Sequence, residues 1–211
     1  SAPGRTEVCG NHTDHNNGKV LAASINLDAI AIAAKRDDMK INEKSEGHGL
    51  NEVDISTLSP DEAEYGRSSS MIKGVAAGLK EKGYEIGGFD ACTTSDVMGG
   101  SGLSSSAAFE VLIATVINHL YNDGKIDAVT VAKAAQFSEN VYFGKPSGLL
   151  DQMASSVGTF VTIDFKDTAN PVIKKVDFDF AKSGYSLCIV DTHGNHSDLT
   201  DDYAAVSGEM E

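Results

Sequence analysis

The segment Gly99-Gly100-Ser101-Gly102-Leu103-Ser104-Ser105-Ser106-Ala107-Ala108 joins glycines and hydroxyls to an apolar helical pattern that begins directly after them. Glycine lets a backbone approach a ligand without Cβ interference. The first N–H groups of the following helix have no partner within it and its dipole is positive there, so the segment suits an anion such as a phosphate. The serine hydroxyls add groups able to reach a phosphate or a Mg2+. No Lys follows the last glycine, and the glycine spacing is not that of a dinucleotide fingerprint, which excludes both common nucleotide loops. The plainer alternative is a helix start capped by Ser104 or Ser105.

Three other stretches carry chemistry. Gly144-Lys145-Pro146-Ser147-Gly148-Leu149-Leu150-Asp151-Gln152 sets one carboxylate in a small and apolar setting, which is costly unless the Asp is paired or used. Read alone, Asp151 also suits a cap for a helix starting near Gln152. Ala2-Pro3-Gly4-Arg5 precedes Gly10 to Gly18, where seven consecutive polar side chains, Asn11 to Asn17, stand between two glycines. Asp accepts from vicinal hydroxyls while Asn and His complete the pattern, as a polyhydroxylated ligand requires. Asp191-Thr192-His193-Gly194-Asn195-His196, with Asp198, Asp201, Asp202 and Tyr203 beyond it, follows an apolar run; an acidic surface helix is its alternative. The H-x-x-H spacing of His12/His15 and His193/His196, near Asp14 and Asp191, also leaves a metal-dependent hydrolase open.

These segments need elements to hold them. Val20 to Lys35 is apolar and broken by Asn26 and Asp28, which predicts a two-stranded hairpin. A short strand follows near Met39 to Asn42, and Gly47 to Arg67 reads as an acidic surface excursion. Met71, Ile72, Val75 and Leu79 recur at helical spacing, with Gly83 as a stop. Ile86 to Val97 reads as a strand. Phe109, Leu112, Ile113, Val116, Ile117 and Leu120 share one helical face, and Asp127 to Phe143 reads as a second helix. Val176, Phe178 and Phe180 alternate with Asp177 and Asp179 as in a half-solvated strand. Leu187 to Val190 is continuously apolar, as a central strand would be. Hairpins mixed with helices point to an α+β fold in one cooperative unit.

Composition narrows the partners. The 211 residues are 41% hydrophobic and 23% charged, which excludes disorder and fibrous classes. A net charge of −14 argues against nucleic acid and anionic membranes. No apolar run reaches the roughly 20 residues of a membrane helix, and the N-terminus has no signal-peptide pattern. Three cysteines at unpaired spacing suit a reducing cytoplasm and offer no zinc pattern.

Taken together and in this order, the segments resemble the galactokinase branch of the GHMP kinases. Ala2-Pro3-Gly4-Arg5 with Gly10-Asn11-His12-Thr13-Asp14 is similar to the galactokinase signature, Gly100 to Ala108 to the ATP-phosphate loop, and Gly148 to Gln152 to the catalytic-aspartate motif. The resemblance covers most of the chain. It implies a GHMP-kinase N-terminal domain over residues 1–211 (ribosomal protein S5 domain 2-like), with a mixed sheet packed by helices and a left-handed β-α-β crossover. The family's C-terminal domain is missing from these residues, so the resemblance implies that this stretch alone binds sugar weakly and turns over little.

The implied activity is a Mg·ATP-dependent sugar kinase acting on the anomeric hydroxyl of galactose or a related hexose. Asp151 would stand by that hydroxyl with Arg5 beside it. Asn11, His12, Asp14, Gly148 and Tyr203 would hold the sugar. Gly100, Ser101, Gly102, Leu103, Ser104, Ser105 and Ser106 would wrap the triphosphate, with Ser106 and Glu139 on Mg2+. The family pattern has Glu where this chain has Asn11, Tyr for His15, Asn for Glu7 and Pro for Met98. Asn donates and accepts without charge, so galactose is expected to bind less tightly than in typical members and a modified hexose to be preferred. A non-catalytic sugar- and ATP-sensing homologue is the second expectation.

Overall fold

The computed structural model describes residues 1–10, 12–180, 182–190 and 205. Seven strands form one mixed sheet: β1 (Ala2–Cys9), β2 (Lys19–Lys35), β3 (Lys40–Ser45), β4 (Leu50–Asp54), β5 (Phe89–Ser95), β6 (Phe160–Asp164) and β7 (Val172–Val176). Their order is β4-β3-β5-β2-β6-β7, and β1 pairs with β2 outside that path. The β3/β5 pair is parallel and the others antiparallel. The helices are α1 (Ser68–Glu81), α2 (Ser105–Tyr121), α3 (Ala128–Phe137) and α4 (Leu150–Val157). Among the described residues no helix is long and apolar enough to cross a membrane.

Residues 19–35 form one long strand rather than the expected hairpin. No Gly or Pro interrupts the run to support a turn. Instead the strand changes partners along its length: Lys19–Ala23 pair with β6 and Ala29–Lys35 with β5, while β1 runs beside Leu21–Ala29. Its alternation sends Ala29, Ala31 and Ala33 toward the helices and leaves Ile30 and Ile32 on the open face, Ile32 81% exposed. The acidic excursion contains a strand, β4, whose only deeply buried side chain is Val53; a single inward residue leaves little apolar signal. The strand expected through Phe180 ends at Val176. Phe178 instead packs edgewise against Phe160 and Phe180, and Phe180 lies tilted against Phe160. Leu187–Val190 form no strand: they lie exposed, with no sheet partner among the described residues.

The helix over residues 70–79 and the one over 109–120 form where periodicity puts them. Val111, Leu112, Ile113 and Ile117 of α2 join Ile72, Val75 and Leu79 of α1 in the main core against Ile41, Phe89 and Ala91. A second cluster ties α4 to β6 through Leu150, Met153, Val161 and Ile163. Asp127 caps α3 by accepting from Thr130 N–H, and the helix then widens into a π-turn over Ser138–Phe143. Such wide turns interrupt the regular ladder and are frequent at functional sites. This one carries Glu139.

Candidate active site

A cleft of about 460 Å³ opens where β1, the 12–15 turn, the start of α2 and the 143–151 segment converge. Along β1 side chains alternate, so Arg5 and Glu7 share one face, and both line the cleft. Arg5 is only 7% exposed and is anchored on three sides. Its Nε donates to Asp151 Oδ1 at 2.7 Å, its Nη1 to the Gly102 carbonyl at 2.7 Å, and its backbone N–H to the Leu103 carbonyl at 3.0 Å. One strand residue thereby ties the glycine-serine loop to the aspartate motif.

Asp151 lies in the first turn of α4, behind Leu149 at the N-cap, so it is not the cap. Its other oxygen accepts from Ser104 Oγ at 2.6 Å. Burial works to raise the Asp151 pKa, but the Arg5 charge and hydrogen bond, with His12 and Ser104, outweigh it and hold the carboxyl below its ordinary value. Each carboxylate oxygen keeps a second lone pair free for a ligand hydroxyl.

Ser104 stands at the N-cap of α2 in the left-handed region (φ 60), and its hydroxyl makes no cap. It is turned to Asp151 instead. The first N–H groups of a 17-residue helix are thus left without a side-chain cap beside the cleft. Gly100 and Gly102 hold positive φ of 73 and 76, which β-substituted residues rarely adopt. An open helix N-terminus behind a glycine turn fits a polyphosphate. Ser105 and Ser106 also line the cleft, whereas Ser101 donates to the Met98 carbonyl and Leu103 is buried.

Ser106 Oγ donates to Glu139 Oε1 at 3.2 Å. Glu139, 2% exposed, also accepts from Lys145 Nζ at 2.9 Å and Gln152 Nε2 at 2.7 Å. Two hard oxygen donors at the helix start suit Mg2+, which takes few protein ligands and keeps the rest for water and phosphate. Lys145 balances Glu139 meanwhile. Desolvation works against its charge, yet Glu139 holds the ammonium above its ordinary pKa. Neighbouring Glu110 is fully buried with both oxygens unpartnered, and burial, then Glu139, push its carboxyl well up.

At the opposite end, Asp14 is 5% exposed on a 3-10 turn. Its Oδ2 accepts from the Leu150 N–H at 3.1 Å, while its buried Oδ1 has no hydrogen-bond partner among the described residues. A Cβ at Gly148 would overlap this carboxylate, so any larger residue there has to displace it. An orphaned acceptor on a cleft wall is an open demand for a donor. His12, also left-handed (φ 57), places Nδ1 3.7 Å from Asp14 Oδ1 and Nε2 3.4 Å from Arg5 Nη2. The neighbouring Asp14 chiefly raises the His12 pKa, against desolvation, with Asp151 adding to the rise. Donor atoms of His12, Asp14 and His15 fall within 4.8 Å of one another, but the His193/His196 half of the alternative metal site lies outside the described residues.

The structure therefore brings together Arg5, His12, Asp14, Gly100, Gly102, Ser104, Ser105, Ser106, Gly148 and Asp151, with Glu139 behind Ser106. Asn11 and Tyr203 lie outside the described residues. Sequence reasoning assigned no role to Lys145 or Gln152. The signal was available in Lys145, a cation in the glycine- and proline-bounded loop leading to Asp151.

The pattern of the GHMP kinases N terminal domain matches residues 70–159, which hold the glycine-serine loop, Glu139 and Asp151. Solved mevalonate kinase from Methanococcus jannaschii has the same fold (TM-score 0.68, 15% identity, 86% of this chain and 56% of that one). The mixed sheet and four helices agree with this match, so the chain carries a GHMP kinases N terminal domain. Residues 1–35 match the galactokinase galactose-binding signature. A galactokinase of Streptomyces coelicolor is 35% identical over 205 residues, 96% of this chain and 52% of that protein. One from Pyrococcus furiosus is 39% identical over 167 residues, 79% of this chain and 46% of that protein. The structure of Lactococcus lactis galactokinase complexed with galactose superposes with a TM-score of 0.74 at 31% identity, covering 85% of this chain and 47% of that one. The chain spans about half the length of the curated relatives it matches.

Proposed function

We propose that the protein is an ATP-dependent sugar kinase that phosphorylates the anomeric hydroxyl of galactose or a related hexose, with Mg2+. The observation that carries this reading is the Arg5–Asp151–Ser104 cluster, which sets a paired carboxylate at the mouth of an uncapped helix N-terminus. Bound Mg·ATP would supply the phosphoryl group. In a loose transition state positioning and charge neutralisation count for more than forceful deprotonation. Asp151, kept ionised by Arg5, would accept the hydrogen bond of the attacking hydroxyl and aim its oxygen. Arg5 would also offset charge on the group in transit. Gly100 to Ser106 and the α2 N-terminus would hold the triphosphate, and Ser106 and Glu139 the cation. Asp14 and His12 would fix the ring by its hydroxyls, the orphaned Asp14 oxygen taking one of them.

Three exposed, unpaired cysteines, Cys9, Cys92 and Cys188, fit a reducing compartment, and we place the protein in the cytoplasm. The test is ADP release from the full-length protein with a panel of monosaccharides. ADP release that depends on a hexose supports the proposal. A protein that binds sugar and ATP with no ADP formed at any sugar concentration is instead a sensor, and the kinase reading fails.

A further inference from the structure

We infer that Glu7 is a specificity-determining residue of the sugar end: one carboxylate oxygen is anchored by the protein and the other accepts a ligand hydroxyl. This rests on the sugar-kinase reading above. The anchor is the backbone N–H of His12, which donates to Glu7 Oε1 at 2.8 Å. Oε2 takes no hydrogen bond among the described residues; its nearest basic atom, His12 Nε2, is 3.7 Å away. The side chain is 17% exposed and lines the cleft, so that oxygen is neither sealed in the core nor loose in solvent.

The arginine and the lysine that line the cleft are engaged elsewhere. Arg5, on the same strand face, is bound to Asp151 and the Gly102 carbonyl, and Lys145 is bound to Glu139. An ionised carboxylate only accepts, so the free oxygen is complementary to a donor. Together with the orphaned Asp14 Oδ1, it makes a pair of acceptors flanking His12, which stands 3.7 Å from each carboxylate. A polyol offers the matching pair of donors.

Glu7 also bears on two departures from the family pattern. In the sequence, the acid absent at Asn11 is matched by an acid present at Glu7, and Glu7 lines the cleft.

The experiment compares the wild-type full-length protein with Glu7→Gln, which is isosteric and still accepts from the His12 N–H. KM is measured for the accepted hexose and its singly deoxygenated analogues, beside the Kd for ATP. In Glu7→Gln the hexose KM rises about tenfold or more, as expected for a lost charge-assisted hydrogen bond, with kcat within about threefold and ATP affinity unchanged. One deoxy position that costs the wild type affinity then costs the variant nothing further. Unchanged hexose KM overturns the inference, and so does a loss spread evenly over every analogue, which marks Glu7 as a tether for His12 only. A wild type that binds ATP but no sugar of the panel overturns both this inference and the sugar-kinase reading.

Discussion

On the proposed function, the two ends of the cleft would recognise ligand by different means. The phosphate end would be built of backbone, a glycine turn and an uncapped α2 N-terminus, beside a Glu139 already paired with Lys145, Gln152 and Ser106. The sugar end would be built of side chains on β1 and the 12–15 turn, where Asp14 Oδ1 and one oxygen of Glu7 have no hydrogen bond among the described residues. Backbone N–H groups carry no choice of residue type, so the phosphate end suits a ligand common to many enzymes. Side-chain acceptors change with one substitution, and specificity is kept there. Arg5 and Asp151 form the joint between the two.

That division is open to attack from the joint outward. The largest effect belongs to Asp151→Asn, which preserves shape but removes the charge paired with Arg5. In the full-length protein kcat falls by about 10²-fold or more while sugar KM changes little, read by ADP release. Near-normal turnover would remove Asp151 from the catalytic role.

At the phosphate end, Gly102→Val puts a β-branched residue at φ 76 and blocks backbone approach, so KM for ATP rises about tenfold or more with sugar binding intact. An unchanged ATP affinity would reduce the loop to a helix start. Gly148→Ala is the matching probe of the sugar end. The new methyl drives the Asp14 carboxylate aside, and sugar affinity falls by about tenfold, some 1.4 kcal/mol, with ATP affinity unchanged. Loss of both affinities together would mean that the two ends are not separable.

The smallest effect is a pH dependence. His12 has its folded pKa raised above 6.5, so its charge contributes stability that is fully present below about pH 6.5 and is lost as pH rises through the folded value. His12→Gln should therefore flatten the pH dependence of Tm just above 6.5 and leave it unchanged well above the folded value. A wild-type Tm that does not move over that interval counts against a charged His12.

Local chemistry was legible where it rests on composition and period. The α1 and α2 stripes predict those helices, and the glycine-serine run marks the turn that opens α2. Residues 19–35 show where legibility ends. Asn26 and Asp28 look like a break until β1, β5 and β6 are seen sharing the strand between them. Leu187–Val190 show the converse, since an apolar run makes a strand only beside a partner, and here it lies exposed. Ser104 is the subtlest case. Its type and place suit an N-cap, but a carboxylate 47 residues away takes its hydroxyl, and no local rule contains that distance.

The sequence by itself determined the residue types that do the work, their order along the chain and the helix behind the phosphate loop, because propensity, glycine freedom and apolar period act over a few residues. Only the tertiary structure decided that Arg5 meets Asp151 across 146 residues, that Lys145 guards Glu139 and that Glu7 faces the cleft with one oxygen free. Those outcomes depend on strand pairing and on how each buried charge finds its partner, which a linear pattern does not record.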